Sequence, residues 1–128
     1  MFTYPLTMVL RSFPIRAGLL LAALLLPLAC GDSFGVGTDG QDVGGPCAGP
    51  EDCGPDSFCV SDTGDFPGGS CAMNCDSHAD CPDGSFCIST KGGICVLGCD
   101  TADDCRAGYD CESKSDQDGG GESKVCID

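Results

Sequence analysis

The sequence has no tryptophan, only two tyrosines and six phenylalanines, and few basic residues. About half of its large aliphatic side chains and phenylalanines lie in the first 29 residues. The remainder cannot bury enough apolar surface to offset its chain entropy by the hydrophobic effect alone. After residue 29 the chain carries four basic and twenty acidic residues, a net charge of −16. A field of this sign repels nucleic acids, so we expect no nucleic-acid partner.

Cysteine is abundant instead, with thirteen in 128 residues. A cysteine content this high in a short exported chain predicts that disulfides replace a large hydrophobic core. Twelve of the cysteines lie between Cys47 and Cys126 in a regular pattern, whereas Cys30 stands alone at the end of an apolar run. The odd cysteine therefore needs an explanation of its own.

The first 29 residues have the pattern of an export signal. Arg11 and Arg16 precede a 13-residue apolar segment that runs from Ala17 to Ala29. As a helix this segment would reach about 20 Å, which is too short for a hydrocarbon core of roughly 30 Å. We therefore interpret residues 1–29 as a signal peptide rather than a membrane span.

The residues around Cys30, "PLACG", resemble the lipobox of bacterial lipoproteins. That resemblance implies cleavage before Cys30 and attachment of lipid to its thiol, with Pro27 standing where the family prefers leucine. Lipid attachment at Cys30 would place the protein in the cell envelope, held to the membrane by its acyl chains. The alternative is a simply secreted protein with a free Cys30. Residues 31–46, rich in Gly and Asp, are predicted to form a flexible tether after the anchor, so that 30–46 is one segment.

The twelve remaining cysteines form three consecutive repeats, which we assign to residues 47–74, 75–98 and 99–128. Each repeat has the spacing C-x5-C-x5-C followed by a variable gap and a fourth cysteine. An Asp precedes each second cysteine, an aromatic residue lies just before each third, and each variable gap contains Gly-Gly. The variable gap with its Gly-Gly pair predicts a short β-hairpin. We expect the Asp to accept hydrogen bonds from backbone N–H groups in a turn, and the aromatic residue to form a small core within its repeat.

We predict disulfides within each repeat, and we favour the pairing of first with third and second with fourth cysteine, which ties the hairpin to the preceding loop. If each repeat closes on itself, three pairings remain possible for each. The fold class is thus small and disulfide-rich, with three tandem four-cysteine units, short β-hairpins, irregular loops and little hydrophobic core. The predicted disulfide residues are Cys47, Cys53, Cys59, Cys71, Cys75, Cys81, Cys87, Cys95, Cys99, Cys105, Cys111 and Cys126.

Other chemistry is disfavoured by the same residues. Two C-x3-C spacings with His78 nearby are similar to the spacing of zinc ligands. Zinc binds cysteine as the thiolate, however, and in an oxidising compartment the cysteines form disulfides instead. The loop from Asp116 to Glu122, "DQDGGGE", places three carboxylates near glycines but lacks the length of an EF-hand loop. His78 is the only histidine, and no nucleophile–base pair can be identified, so we predict no enzyme activity, no metal and no cofactor.

The C-x5-C-x5-C unit with its acidic residue resembles the N-terminal cysteine-rich domain of Dickkopf proteins, and it is also similar to EB and EGF-like modules. The resemblance covers residues 47–126 and implies a disulfide-rich extracellular module. A Dickkopf protein has one such unit and a second domain, so its antagonism of Wnt signalling is not implied. The C-x5-C-x5-C spacing is also similar to that of whey-acidic-protein inhibitors. The adjacent cysteine pair of those inhibitors is missing from this sequence, which argues against protease inhibition.

Together these patterns predict a non-enzymatic envelope protein, anchored to the membrane by lipid, in which a rod of three units acts as a binding or structural module. Its protein or envelope partner is not identified by the sequence. One alternative is a secreted protease inhibitor that presents the loop "DTGDFPGGS", residues 62–70. Another is a calcium-dependent adhesive module.

Overall fold

The computed structural model of the protein describes residues 35–128, so the predicted signal peptide of residues 1–29 and Cys30 lie outside the described residues. Within this range there are six β-strands and four single-turn 3-10 helices. The strands are β1 (Phe58–Val60), β2 (Ser70–Asn74), β3 (Ser85–Ile88), β4 (Ile94–Leu97), β5 (Asp110–Ser115) and β6 (Glu122–Ile127). The 3-10 helices are Pro50–Asp52, His78–Asp80, Thr90–Gly92 and Ala102–Asp104.

All twelve cysteines of the repeats are paired, and the favoured crossed arrangement is confirmed in every repeat. The six disulfides are Cys47–Cys59, Cys53–Cys71, Cys75–Cys87, Cys81–Cys95, Cys99–Cys111 and Cys105–Cys126. The third and fourth cysteines of a repeat face each other across its hairpin, as Cys87 and Cys95 do. These two cysteines do not form a disulfide with each other. Each forms its disulfide with a cysteine of the preceding loop, so that loop is covalently linked to both strands of the hairpin.

The predicted hairpin is present in each repeat, as the antiparallel pairs β1–β2, β3–β4 and β5–β6. Two of the Gly-Gly pairs are explained by crowding at the start of the returning strand. Gly69 and Gly93 have φ angles of +73° and +107°, and a Cβ at either position would overlap with a backbone carbonyl oxygen, that of Cys47 or Cys75. Only glycine fits these two positions without strain.

The Asp before each second cysteine is confirmed as an acceptor of backbone N–H groups. In repeat 3, Asp104 Oδ2 accepts hydrogen bonds from the backbone nitrogens of Asp100 and Thr101, at 2.8 and 3.1 Å. Asp52 and Asp80 accept the equivalent pairs of bonds in the other repeats. Each carboxylate thereby closes the turn that begins at the first cysteine of its repeat.

The limited hydrophobic core lies between the repeats rather than inside each one. Repeats 1 and 2 share a four-stranded sheet of order β1-β2-β4-β3, and β5–β6 forms a second sheet. The buried cluster takes side chains from all three repeats: Val60, Phe66, Ala72, Ile88, Ile94, Val96, Tyr109, Val125, Cys126 and Ile127. The predicted fold class of small disulfide-rich repeats with little core is therefore confirmed.

The prediction that the repeats form a rod is wrong, because repeat 3 contacts repeat 1 as well as repeat 2. The Tyr109 hydroxyl donates to the carbonyl oxygen of Pro67 at 3.0 Å, and Arg106 donates to that of Gly69. Next to them, the backbone nitrogen of Asp128 donates to the carbonyl oxygen of Asp65 at 3.1 Å. A shared core needs all three repeats to meet, and a linear array would leave its apolar side chains exposed.

The prediction of a flexible tether is also wrong for residues 35–46. Val43 is fully buried against Cys75, Cys87 and Cys95, and Val36 packs beside it. Gly44 donates a backbone hydrogen bond to Cys71 at 2.9 Å, and Gly45 accepts one from the same residue at 2.9 Å. Two valines and the closely approaching glycine backbone attach this segment to repeats 1 and 2. Residues 31–34 lie outside the described residues.

No helix within residues 35–128 has the length and apolar character needed to cross a bilayer.

Candidate functional site

The cysteine sulfurs form three tight clusters, one in each repeat. Three Sγ atoms lie within 4.8 Å of one another in each of them: Cys47, Cys53 and Cys71; Cys75, Cys81 and Cys95; Cys99, Cys105 and Cys126. The clusters arise because the two crossed disulfides of a repeat lie side by side. Every sulfur is bonded to another sulfur and offers no thiolate to zinc.

His78 lies in a cross-repeat cluster that the sequence did not reveal. Its Nδ1 accepts a hydrogen bond from the backbone nitrogen of Cys87 at 3.0 Å, so the neutral ring carries its proton on Nε2. That nitrogen lies 3.3 Å from Oδ2 of the buried Asp116. The Ser123 hydroxyl donates to Oδ1 of Asp116 at 2.7 Å. Repeats 2 and 3 are therefore joined by a chain of polar contacts.

This cluster contains a serine, a histidine and an aspartate, but its connections are not those of a nucleophilic triad. The Ser123 hydroxyl donates its hydrogen bond to the Asp116 carboxylate. In a nucleophilic triad the serine hydroxyl instead donates to the histidine, which accepts its proton as the general base. Both ring nitrogens of His78 are already occupied, one by the Cys87 amide and the other by Asp116. The arrangement has the character of a structural contact between repeats.

The acidic loop from Asp116 to Glu122 directs its three carboxylates to different places. Asp116 contacts His78 and Ser123. Asp118 accepts a hydrogen bond from the backbone nitrogen of Gly120 at 2.8 Å, within its own turn. Glu122 begins β6 and is exposed. Within residues 35–128, these three carboxylates do not converge as ligands of one calcium ion would.

The loop of residues 62–70, considered for protease inhibition, is partly folded into the core. Phe66 is only 1% exposed. The Gly68 amide donates to Asp62 at 3.1 Å, and the loop carbonyls of Pro67 and Gly69 accept bonds from repeat 3. An inhibitory loop presents its specificity side chain to the protease, whereas the one large apolar side chain of this loop lies inside the protein.

Local contacts change the pKa of one carboxyl group, that of Asp104, and of one phenol group, that of Tyr109. The backbone N–H groups of Asp100 and Thr101 lower the pKa of Asp104 and keep it ionised. Burial raises the pKa of Tyr109, and the neighbouring Arg106 guanidinium opposes that increase. The guanidinium lies 4.5 Å from the centre of the Tyr109 ring. Asp104 supports the turn of repeat 3, whereas Tyr109 and Arg106 support the contact of repeat 3 with repeat 1.

An open groove lies where repeats 2 and 3 meet residue Val36. Its volume is about 730 Å³. Its apolar part is formed by Val36, Phe86 and Leu97, and its border by carboxylates and one lysine: Asp83, Asp100, Asp104, Glu122 and Lys124. We refer to these residues as the repeat 2–3 groove. It is a surface of the size used for side chains or small ligands.

Phe86 is the exposed aromatic residue of the repeat 2–3 groove. At 38% exposure it is the most exposed large hydrophobic side chain among residues 35–128. Its side chain lies against Gly98, where a Cβ would overlap with the ring. The expectation that this aromatic belongs to a local core is therefore wrong. The sequence signal was available, because Phe86 precedes the buried Cys87 and so faces the opposite side of β3.

Comparison with protein-family models, curated proteins and solved structures finds no match to the chain. The resemblance to Dickkopf, EB and EGF-like modules therefore remains a prediction from cysteine spacing.

Proposed function

We propose that the protein is a non-enzymatic module of the bacterial cell envelope, anchored through lipid on Cys30, that acts as a binding or structural surface. The observation that supports this best is the complete set of six crossed disulfides. Structural disulfides form and persist in oxidising compartments outside the cytosol, so a chain with six of them is expected to be exported. They fix the surface of a chain that has little core.

Support for the anchor comes from the sequence around Cys30. It follows a positively charged and then apolar segment, and the Ala29-Cys30 pair occupies the two most restrictive positions of a lipobox. Each buried methylene contributes about 0.8 kcal/mol to membrane binding, so two or three acyl chains hold a protein stably. Lipid attachment also accounts for the odd cysteine in an otherwise paired set.

Support for a non-enzymatic role comes from the commitment of the polar side chains. His78 is held at both ring nitrogens, and Asp116 accepts bonds from two partners. The three turn-closing aspartates are bound to backbone nitrogens. Polar groups committed to the fold in this way are suited to a rigid surface rather than to proton transfer.

Intact mass spectrometry of the purified mature protein without reduction tests the proposal. We expect a chain that begins at Cys30 with added acyl mass and that lacks the twelve thiol hydrogens of six disulfides. The variant Cys30→Ser is the control: it should carry no acyl mass and keep the same six disulfides. A wild-type chain without acyl mass would contradict the anchor, and free thiols throughout the repeats would contradict the exported module.

A further inference from the structure

We propose that the repeat 2–3 groove binds a positively charged polypeptide segment that inserts an apolar side chain between its lysines or arginines. This inference rests on the proposed function as a binding module and names the chemistry of its partner. The apolar part of the groove would receive the inserted side chain. The carboxylates at its border would attract the flanking cationic groups.

Phe86 is the exposed apolar side chain of the groove. A large aromatic side chain exposed at 38% is costly in a chain with so little apolar material, since burial of such a ring favours folding by about 1.5–3 kcal/mol. Phe86 does not stand alone, because Leu97 and Val36 continue the apolar surface beside it. Contiguous exposed apolar surface bordered by polar residues is typical of an interaction site.

The border of the groove is mainly negatively charged. Asp83, Asp100, Asp104 and Glu122 are all exposed there, with Lys124 as the one basic residue. Surfaces of one sign in a concave region raise the local concentration of partners of the opposite sign. An aromatic ring beside these carboxylates also attracts lysine and arginine through its face. Apolar and electrostatic terms thus favour the same kind of partner.

Charge also argues against other occupants. Residues 35–128 contain four basic and nineteen acidic residues, a net charge of −15, so two copies of the chain repel each other. Nucleic acid and anionic lipid are repelled for the same reason. A basic polypeptide is attracted both by the carboxylates at the border of the groove and by the net negative charge of the protein, so we propose this class of partner.

The test uses the purified exported protein with its disulfides intact, in a non-ionic detergent, and a short fluorescein-labelled peptide in which lysines flank a Leu-Phe pair. Fluorescence anisotropy measures binding at low and at moderate salt. We expect saturable binding that weakens with salt, because exposed charges are screened. Replacing the Leu-Phe pair by serines should weaken binding about tenfold, and replacing the lysines by glutamates should abolish it.

Variants of the protein locate the binding site. Phe86→Ala should weaken binding about tenfold, and Phe86→Leu should weaken it less, because leucine keeps part of the apolar surface. The double variant Asp100→Asn with Glu122→Gln should weaken binding and reduce its salt dependence, and it leaves the turn-closing Asp104 in place. The matched control is Glu51→Gln with Asp56→Asn, which changes the net charge equally but lies outside the groove. This control should bind as the wild type does.

The proposal is overturned if the serine peptide binds as tightly as the Leu-Phe peptide, or if the control pair weakens binding as much as the groove pair. It is also overturned if the peptide does not bind to protein that carries its six disulfides. Mass spectrometry of the same sample separates this failure from failure of the proposed function, which would be seen as missing acyl mass or free thiols.

Discussion

At the scale of the residue, the alternation of side chains along β3 explains why Phe86 lies outside the shared core. Phe86 immediately precedes Cys87, and since successive residues of a strand face opposite sides, Phe86 points outward when the cysteine is buried. Tyr109 lies two residues before Cys111 and is 7% exposed. Phe58 also immediately precedes the third cysteine of its repeat, yet it packs against the shared core, so this spacing does not by itself place the aromatic side chain.

Phe66 and Phe86 form a matched pair for testing this difference. Phe66→Ala removes a ring that is 1% exposed, and we expect a loss of about 3–5 kcal/mol in the free energy of unfolding. Phe86→Ala removes a ring that is already partly in water, so its cost should be about 1 kcal/mol or less. Guanidinium denaturation with the disulfides intact measures both. Equal losses would contradict the burial of the loop of residues 62–70.

Asp104 gives a prediction for the dependence of stability on pH. Its pKa in the folded protein lies below the usual 3.8, because two backbone N–H groups favour the carboxylate. Asp104 therefore contributes stability above about pH 4, and the contribution is lost as the pH falls through the folded-state pKa. Asp104→Asn should unfold at lower denaturant than wild type at neutral pH, and the difference should shrink below pH 3.8.

The control for this comparison is Asp103→Asn, which removes the same charge from the neighbouring position. Asp103 is exposed, and its carboxylate makes no hydrogen bond among residues 35–128. Its substitution should change stability little at any pH. A pH-independent difference between wild type and Asp104→Asn would show that the carboxylate is not the acceptor.

At the scale of the element, each repeat is a turn joined by two disulfides to a hairpin. The sequence predicts this unit well, because cysteine spacing, Gly-Gly and the repeated Asp each have one local physical reason. Segment 35–46 could not be predicted in the same way. It lacks hydrophobic periodicity, and its attachment depends on Val36 and Val43 and on backbone hydrogen bonds of glycines with repeat 1. The groove could not be predicted either, since it is formed only where separate elements meet.

Hydrogen exchange distinguishes a packed segment from a tether. We expect the amide of Gly44, bonded to the carbonyl oxygen of Cys71, and that of Gly45, bonded to Gly40, to exchange slowly. A flexible tether would exchange at the rate of an unstructured peptide. Val43→Asp should remove the protection by placing a charge in a fully buried position. Thr38→Ala, a change at a partly exposed position of the same segment, should leave the protection unchanged.

At the scale of the whole molecule, the repeats share one core and form contacts between repeat 1 and repeat 3. Repeats in a linear array contact only their neighbours, and their stability is a sum of local terms. Here Ile127 of repeat 3 is buried in the same cluster as Val60 and Phe66 of repeat 1. The three units are therefore expected to unfold together, with the disulfides limiting how far each can open.

Ile127→Ala tests this coupling. The substitution should lower stability by about 2–5 kcal/mol and should raise the exchange rates of amides in β1 and β2, which belong to repeat 1. A rod of independent units would confine the effect to repeat 3. The control is Lys124→Ala on the same strand, where the side chain is exposed. It should leave exchange in repeat 1 unchanged.

The attachment of residues 35–46 also has a consequence for the proposed lipid anchor, because it shortens the stretch of chain between Cys30 and the folded body. With Cys30 acylated as proposed, residues 30–34 are the part of the chain between the lipid and Gly35. Fully stretched, five residues reach about 17 Å, which is comparable to the radius of gyration of about 12 Å for a folded body of this size. The body is then confined to the immediate vicinity of its own membrane, and any partner must come to that layer.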